Sequence, residues 1–114
     1  MPEQVLYPRL RELLDAGAQL VEVLPEAEYG EEHLPGAVNI PHRKLIEATL
    51  SRYPRETIFV VYCAGPHCNG ATRAAVRLAR LGRPVKIMIG GMTGWLDEGF
   101  RTESGSITSA AACG

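Results

Sequence analysis

Apolar residues along this chain follow two periods, and segments with one period alternate with segments of the other. Residues 58–62 form a continuous run of β-branched and aromatic side chains, which is typical of a strand buried on both faces of a sheet. Residues 71–81 instead place apolar side chains three and four positions apart, as a helix with one face on a core does. The alternation of such strands with helices predicts an α/β fold, in which right-handed crossovers give a mainly parallel sheet with helices on both faces.

The pattern of periods and end signals predicts the order of the elements. It gives a helix over 8–16, a strand over 19–23, a helical turn over 25–29, a very short strand before Pro41, a helix over 42–52, a strand ending at Tyr62, a helix over 71–81 and a strand over 85–89. Gly17 and Gly82 suit the ends of helices, because glycine adopts the left-handed conformation there without strain. Gly90 and Gly91 then predict a sharp turn into a short helix, with Trp95 as an apolar anchor.

Length and composition are those of one ordinary globular domain. The chain has 114 residues, of which 46% are hydrophobic and 22% are charged, and its formal net charge is −1. We expect the domain to cover 1–103, whereas residues 104–114 are small, polar and alanine-rich, which predicts a flexible tail with Cys113 exposed. The charge gives no sign of a nucleic-acid partner, and no apolar run is long enough to cross a membrane. Because no signal peptide is visible at the N-terminus, a cytoplasmic location is expected.

Several polar residues lie within these elements, and their default interpretation is structural. Glu22, in an alternating strand, is expected to face solvent. His33 lies just before a turn and is interpreted as a packing or surface residue. Arg73, Arg77 and Arg80 form a stripe at spacings of four and three. Arg77 and Arg80 are expected on a solvated helix face, and Arg73, nearer the start of the helix, is a candidate for attracting an anionic substrate.

The strongest candidate for chemistry is Cys63, which directly follows the central strand. In open α/β sheets ligands bind at the carboxyl ends of the strands, and the following helix turns its unpaired N–H groups and its positive dipole end toward the same crevice. Gly65, Asn69 and Gly70 leave the backbone free to curl and to aim N–H groups inward. A buried cysteine that acts only as a small hydrophobic residue is the alternative. We favour a reactive thiol, since thiolates of low pKa occur near helix N-termini.

The three cysteines of the chain do not suggest a disulfide framework. An odd count, with two cysteines in one loop and one in the tail, fits reduced thiols better than a secreted fold stapled by disulfides. Cys63, His67 and Cys68 lie close in sequence. Their spacing does not contain the Cys-x-x-Cys pair typical of zinc sites, however, and the sequence shows no second cluster of metal ligands. A metal site is therefore not predicted.

Several short motifs occur in a characteristic order. They are residues 20–22, Glu28-Tyr29, the segment HLPGAVNIP over 33–41, VVYC over 60–63, and Gly90-Gly91-Met92 followed by Trp95 and Gly99. Their order and spacing resemble those of single-domain rhodanese-like sulfurtransferases, over nearly the whole chain up to about Arg101. The resemblance implies an open α/β sheet of about four to five strands.

The resemblance also implies an activity. Cys63 falls on the cysteine that forms a persulfide, which takes sulfane sulfur from a donor such as thiosulfate or a low-molecular persulfide and passes it to a thiol, a cyanide-like acceptor or an acceptor protein. No cofactor is required, and neither a nucleic acid nor a membrane is an expected partner. The persulfide anion and the substrate would be held by the loop and the helix that follows it, through Ala64, Gly65, Pro66, His67, Asn69, Gly70 and Arg73.

The chain departs from the usual family pattern at two places. Glu22-Val23-Leu24 stands where the family usually has Asp-Val-Arg, so the ion pair of that arginine is missing. The usual loop reads Cys-x-x-Gly-x-Arg-Ser, whereas here Cys68 occupies the place of the arginine, which resembles a branch with a longer, two-cysteine loop. Cys68 is a candidate resolving thiol, five positions after Cys63.

Three alternatives remain open. Cys68 to Arg73 also reads as Cys-x-x-x-x-Arg and could nominate Cys68 as the nucleophile, but a start there leaves too few residues for the helix before Gly82. A phosphatase or an arsenate reductase would need an arginine six positions after Cys63, where this chain has Asn69. A redox sensor or protein-interaction module that uses a Cys63–Cys68 thiol pair is the stronger rival.

Overall fold

The structure is a computed structural model that describes residues 3–5, 7–65 and 69–105, with only the backbone of Glu3 and Val5. Its strands are β1 (Glu3–Val5), β2 (Gln19–Glu22), β3 (Val38–Asn39), β4 (Phe59–Tyr62) and β5 (Val85–Met88). Its α-helices are α1 (Tyr7–Asp15), α2 (Glu26–Glu31), α3 (Glu47–Leu50), α4 (Gly70–Arg80) and α5 (Gly91–Asp97), and a 3-10 helix covers His42–Lys44.

Within the described residues, the five strands form one open sheet in the order β1-β5-β4-β2-β3. Every neighbouring pair is parallel, and the register places Glu22 beside Tyr62 and Val61 beside Ile87. The central strand β4 is buried along its whole length, as its continuous apolar sequence predicts. The predicted α/β class with a parallel sheet is therefore confirmed.

Helices cover both faces of the sheet, and each face has its own apolar cluster. On the first face, Phe59, Val61 and Cys63 pack with residues of α3 and α4. On the second face, Val60 and Tyr62 pack with residues of α1 and α2, and α5 lies at the edge of that cluster. Successive side chains of a strand point to opposite faces, so β4 supplies both clusters in alternation and Cys63 continues the first.

The predicted helix over 42–52 is wrong, since the structure has two short helices there. The chain leaves helical geometry at Leu45 and is extended at Ile46, where φ is −132° and ψ is 160°. Leu45 and Leu50 are both fully buried. In one continuous helix, five residues would separate these side chains by about 140° around the axis, so the break lets both reach the same core.

Two further differences concern strand β1 and the side chain of Glu22. The three residues of β1 pair with β5 and were not predicted as a strand. The expectation that Glu22 faces solvent is also wrong, because its exposed fraction is 0%. Both strand neighbours of Glu22 and the helices on the second face cover it, and alternation along β2 alone does not reveal that cover.

The loop between α3 and β4 is held by a buried arginine. Arg83 donates hydrogen bonds to the carbonyl oxygens of Leu50, Tyr53 and Pro54 at 2.9–3.2 Å, and its guanidinium lies 3.2 Å from the carboxylate of Glu47.

None of the helices in the described ranges combines the length and apolarity that a bilayer crossing requires.

Candidate functional site

Cys63 lies at the carboxyl end of the central strand, directly after Tyr62. Its exposed fraction is 3%, and it packs in the first apolar cluster together with Ala71 in the first turn of α4. The carboxyl edge of a parallel sheet is where such folds place their ligand sites. Cys63 therefore lies between a buried strand and the start of a helix, which is where the sequence predicts the candidate nucleophile.

The sulfur of Cys63 is part of a disulfide bond in the structure. The other two cysteines of the sequence, Cys68 and Cys113, lie outside the described residues, so the predicted role of Cys68 as a resolving thiol remains a prediction. Chemistry by a Cys63 thiolate requires that this disulfide first be reduced.

Helix α5 fixes the backbone on which the loop begins. The amide of Met92 donates to the carbonyl oxygen of Cys63 at 2.9 Å, and the amide of Thr93 donates to that of Ala64 at 2.9 Å. The hydroxyl of Thr93 donates to the same Ala64 oxygen at 3.0 Å. Two N–H groups in the first turn of α5, which have no partner inside the helix, therefore bond to the first two carbonyl groups of the loop. These bonds fix the direction in which the loop leaves the strand.

Gly91 makes this contact possible. Its φ is 58°, and a Cβ atom there would lie 2.9 Å from the amide nitrogen of Gly65 and closer still to the carbonyl oxygen of Cys63. The sequence predicts a sharp turn at Gly90 and Gly91, but the reason for glycine at position 91 is a close approach of two backbones. Sequence reasoning missed both this contact and the role of Thr93, because each depends on residues about 30 positions apart.

The other predicted loop residues are described in part. Ala64 is exposed and Gly65 is half-buried, while Pro66, His67 and Cys68 lie outside the described residues. Asn69 is exposed at the start of α4, and its side chain makes no capping hydrogen bond. The predicted persulfide-binding loop is therefore described only at its two ends, and its role stays a prediction.

Arg73 is exposed on α4 and lines a cavity of about 330 Å³. The other residues around that cavity are His42, Thr72, Val76, Arg77 and Arg80. The described structure gives no contact between Arg73 and Cys63. Arg77 and Arg80 are exposed, as predicted.

Under the other face of the sheet, Glu22 forms a buried hydrogen-bonded chain with the residue before Cys63. The hydroxyl of Tyr62 donates to Oε1 of Glu22 at 2.8 Å and accepts the amide N–H of Leu34 at 3.0 Å. Oε2 of Glu22 has no hydrogen-bond partner among the described residues. Burial raises the pKa of Glu22 to about 7, against the lowering effect of the hydrogen bond from Tyr62. Burial also raises the pKa of Tyr62.

His33 packs beside this chain and closes the second face. Its ring stacks on that of Tyr29 at a centroid distance of 3.8 Å, and Nδ1 lies 2.8 Å from the Tyr29 carbonyl oxygen. The backbones of His33 and Glu103 exchange two hydrogen bonds of 2.8 Å. The interpretation of His33 as a packing residue agrees with its exposed fraction of 1%.

Within the described part of the chain, no group of three or more histidine, cysteine or acidic side chains could hold a metal ion. Two of the residues weighed as ligands from the sequence, His67 and Cys68, lie outside that part.

Comparison with known families agrees with this fold. The model of the rhodanese-like domain family matches residues 7–98. The chain therefore belongs to the rhodanese-like domain family, as the order of its sequence motifs implies.

Similar proteins with solved structures carry the same fold. The BH2092 protein of Bacillus halodurans is 36% identical with a TM-score of 0.83, over 90% of this chain and 77% of that one. A thiosulfate sulfurtransferase from Pseudomonas aeruginosa is 23% identical with a TM-score of 0.75, over 92% of this chain and 21% of that one. Because the second protein is only 23% identical to this chain, its similarity shows the fold alone.

A curated relative is longer than the segment that this chain matches. An HTH-type transcriptional regulator from Mycobacterium tuberculosis is 40% identical over 88 residues, which are 76% of this chain. The match spans 38% of the length of that regulator. A rhodanese-like segment similar to this chain thus forms part of a longer protein.

Proposed function

We propose that this domain is a sulfurtransferase in which reduced Cys63 carries sulfane sulfur as a persulfide. The observation that supports it most is the position of Cys63 at the carboxyl end of the central strand, on a backbone that α5 holds through two hydrogen bonds of 2.9 Å. Membership of the rhodanese-like family adds to this support. A persulfide anion there would lie before the start of α4, where unpaired N–H groups favour negative charge.

The proposed reaction has two steps, and neither step needs an external oxidant or reductant. The Cys63 thiolate attacks the outer sulfur of thiosulfate, the S–S bond of thiosulfate breaks, and sulfite leaves with the electron pair. An acceptor thiolate or cyanide then attacks the outer sulfur of the persulfide, and the Cys63 thiolate is released. Because the cycle needs reduced Cys63, we place it in a reducing compartment such as the cytoplasm.

Cys68 has a proposed part when no acceptor is present. Its thiolate would attack the inner sulfur of the persulfide and expel hydrosulfide, which leaves a Cys63–Cys68 disulfide. That disulfide would protect Cys63 from further oxidation until a thiol reduces it again.

Mass spectrometry of the reduced protein tests the transferase proposal. After reduction, removal of the reductant and mixing with thiosulfate, we expect a protein whose mass is greater by one sulfur atom. Addition of cyanide should remove that sulfur and release thiocyanate. A protein that stays unmodified, or returns directly to the disulfide, contradicts the proposal.

A redox sensor is the second candidate function, and the disulfide of Cys63 is the observation that favours it. The similarity to part of a transcriptional regulator also fits a domain that signals to an attached or partner protein. Titration with glutathione redox buffers separates the two candidates. A sensor should show a disulfide that forms and breaks near the potential of the cytoplasm, without a persulfide after thiosulfate.

A further inference from the structure

A concave site lies along the exposed face of α4, the helix that follows the loop after Cys63. It is the cavity of about 330 Å³ lined by His42, Thr72, Arg73, Val76, Arg77 and Arg80. We call it the α4 cavity. Three of its six lining residues are arginines and none is acidic, although the whole chain has a formal net charge of −1. The cavity is therefore a locally positive place on the surface.

The arginines of the α4 cavity are available to a ligand. Within the described ranges, neither Arg73 nor Arg80 forms an ion pair or a side-chain hydrogen bond. Arg77 donates from Nε to the carbonyl oxygen of Leu45 at 2.8 Å, which orients its guanidinium while the N–H groups of both Nη atoms remain for a ligand. Arg83, which has a structural role, differs from them, because its guanidinium donates hydrogen bonds to three carbonyl groups and a carboxylate.

His42 supplies an independent sign of an unfilled polar site. Its Nε2 atom is buried and has no hydrogen-bond partner among the described residues. A buried polar atom without a partner is unfavourable, and a turn of the ring toward the cavity would let a ligand or an ordered water remove that penalty.

The size of the cavity and the spacing of its charges indicate the ligand. Arg73 and Arg80 are seven residues apart on one helix, which places them roughly 10 Å apart along the axis. A ligand with two or more anionic groups can contact more of the three guanidinium groups at once than a single tetrahedral anion can. A volume of about 330 Å³ lies at the lower end of the range for small-molecule sites and leaves no room for a protein element.

We propose that the α4 cavity binds a small ligand that carries two or more phosphate groups. Guanidinium groups bind phosphate oxygens through paired charge-assisted hydrogen bonds, and the Thr72 hydroxyl adds a neutral donor. Arg73 is also a predicted substrate-binding residue, but Arg77, Arg80 and His42 belong to this proposal alone, so it does not rest on the sulfurtransferase proposal.

Titration of the reduced, ¹⁵N-labelled protein with inorganic pyrophosphate, followed by NMR, tests the site. We expect saturable shifts centred on His42, Thr72 and Arg73, with weaker binding at higher salt. Sulfate, as a single anion of similar chemistry, should bind at least about tenfold more weakly, since it reaches fewer of the donors. The Cys63→Ser variant should bind pyrophosphate as the wild type does.

Matched variants decide whether the arginines carry the binding. The double variant Arg73→Gln/Arg80→Gln removes two charges that make no described contact, so the fold should remain and the affinity should fall by about tenfold or more. Arg11→Gln, an exposed change on α1 across the sheet, should leave the affinity unchanged. Equal affinity of the double variant and the wild type overturns the proposal. So does pyrophosphate binding no tighter than sulfate, or a short polyglutamate peptide that binds more tightly than pyrophosphate.

Discussion

The carboxyl group of Glu22 is buried beside Tyr62, and only one of its two oxygens has a described hydrogen-bond partner. Burial raises its pKa to about 7, whereas the same group ionises with a pKa of 4.5 when fully solvated. Between these two values the unfolded chain loses this proton and the folded chain keeps it. The stability that Glu22 contributes to the fold therefore falls as the pH rises from about 4.5 to about 7.

Glu22→Gln should remove this pH dependence. The amide oxygen can still accept the hydrogen bond from Tyr62, but it never becomes charged. We expect the variant to gain stability relative to the wild type as the pH rises from 4.5 to 7, by up to roughly 3 kcal/mol. Urea unfolding at several pH values measures the difference. Glu56→Gln, at an exposed position, is the control and should follow the wild type at every pH. Parallel curves for wild type and Glu22→Gln would contradict this prediction.

The two loop cysteines should separate in a sulfur-transfer assay. Cys63→Ser should lower thiosulfate–cyanide turnover by a factor on the order of 10³ or more, because it removes the nucleophile. Cys68→Ser should still form the persulfide but should release no hydrosulfide when the acceptor is left out. Persulfide detection by mass spectrometry and a hydrosulfide probe check the two outcomes. Full turnover in Cys63→Ser, together with loss of turnover in Cys68→Ser, would instead identify Cys68 as the nucleophile.

At the scale of elements, the start of α5 and the start of the Cys63 loop depend on each other. Gly91→Ala would bring a methyl group against the backbone of Cys63 and Gly65, in addition to the cost of a positive φ. We expect a loss of about 1–3 kcal/mol in the free energy of unfolding, and slower persulfide formation because the loop is displaced.

Gly99→Ala is the matched control for this effect. Gly99 also has a positive φ, of 79°, but its Cβ would meet no atom within 4 Å. It should therefore cost only about 1 kcal/mol through backbone strain and leave the rate of persulfide formation unchanged. Thermal unfolding and the rate of sulfite release, measured on both variants, compare the two effects. Equal losses at Gly91 and Gly99 would mean that the close approach to the loop is unimportant.

Elements that bury a continuous apolar run could be predicted from the sequence, and elements fixed by distant contacts could not. Strand β4 and helix α4 are clear because their own periodicity determines which residues are buried. The break near Leu45 depends on a core that only the folded chain provides. The burial of Glu22 and Arg83 depends on partners elsewhere in the chain, 29 to 40 positions away in the sequence. Short β1 carries too few residues to show a period at all.

The candidate site divides in the same way. The position of Cys63 follows from its place after an apolar run, which is a local signal. The support from α5 required knowledge that β5 lies beside β4, since only that arrangement brings Thr93 to Ala64. The charges of the α4 cavity were visible as an arginine stripe, but the stripe alone is typical of a solvated helix face. His42 joins it only in the folded chain.

At the scale of the whole molecule, the described chain closes with contacts near its end. Phe100 packs on Tyr7 and Trp95 at centroid distances of 5.5 and 4.7 Å. Beyond it, Glu103 bridges His33, and the amide of Gly105 donates to the carbonyl oxygen of Gly30 at 2.8 Å. The segment up to Gly105 therefore contributes to the second face of the domain.

Two truncations test where the domain ends. Removal of residues 106–114, measured with a reductant present, should leave the Tm within about 2 °C of the full chain, because this segment is small, polar and alanine-rich and shows no apolar periodicity. Truncation after Gly99 also removes the ring of Phe100 and the bridge to His33. The loss should be roughly 2 kcal/mol or more, which lowers the Tm of a domain of this size by about 10 °C. If the shorter truncation lowers the Tm as much as the longer one, residues 106–114 belong to the folded domain and the predicted flexible tail is wrong.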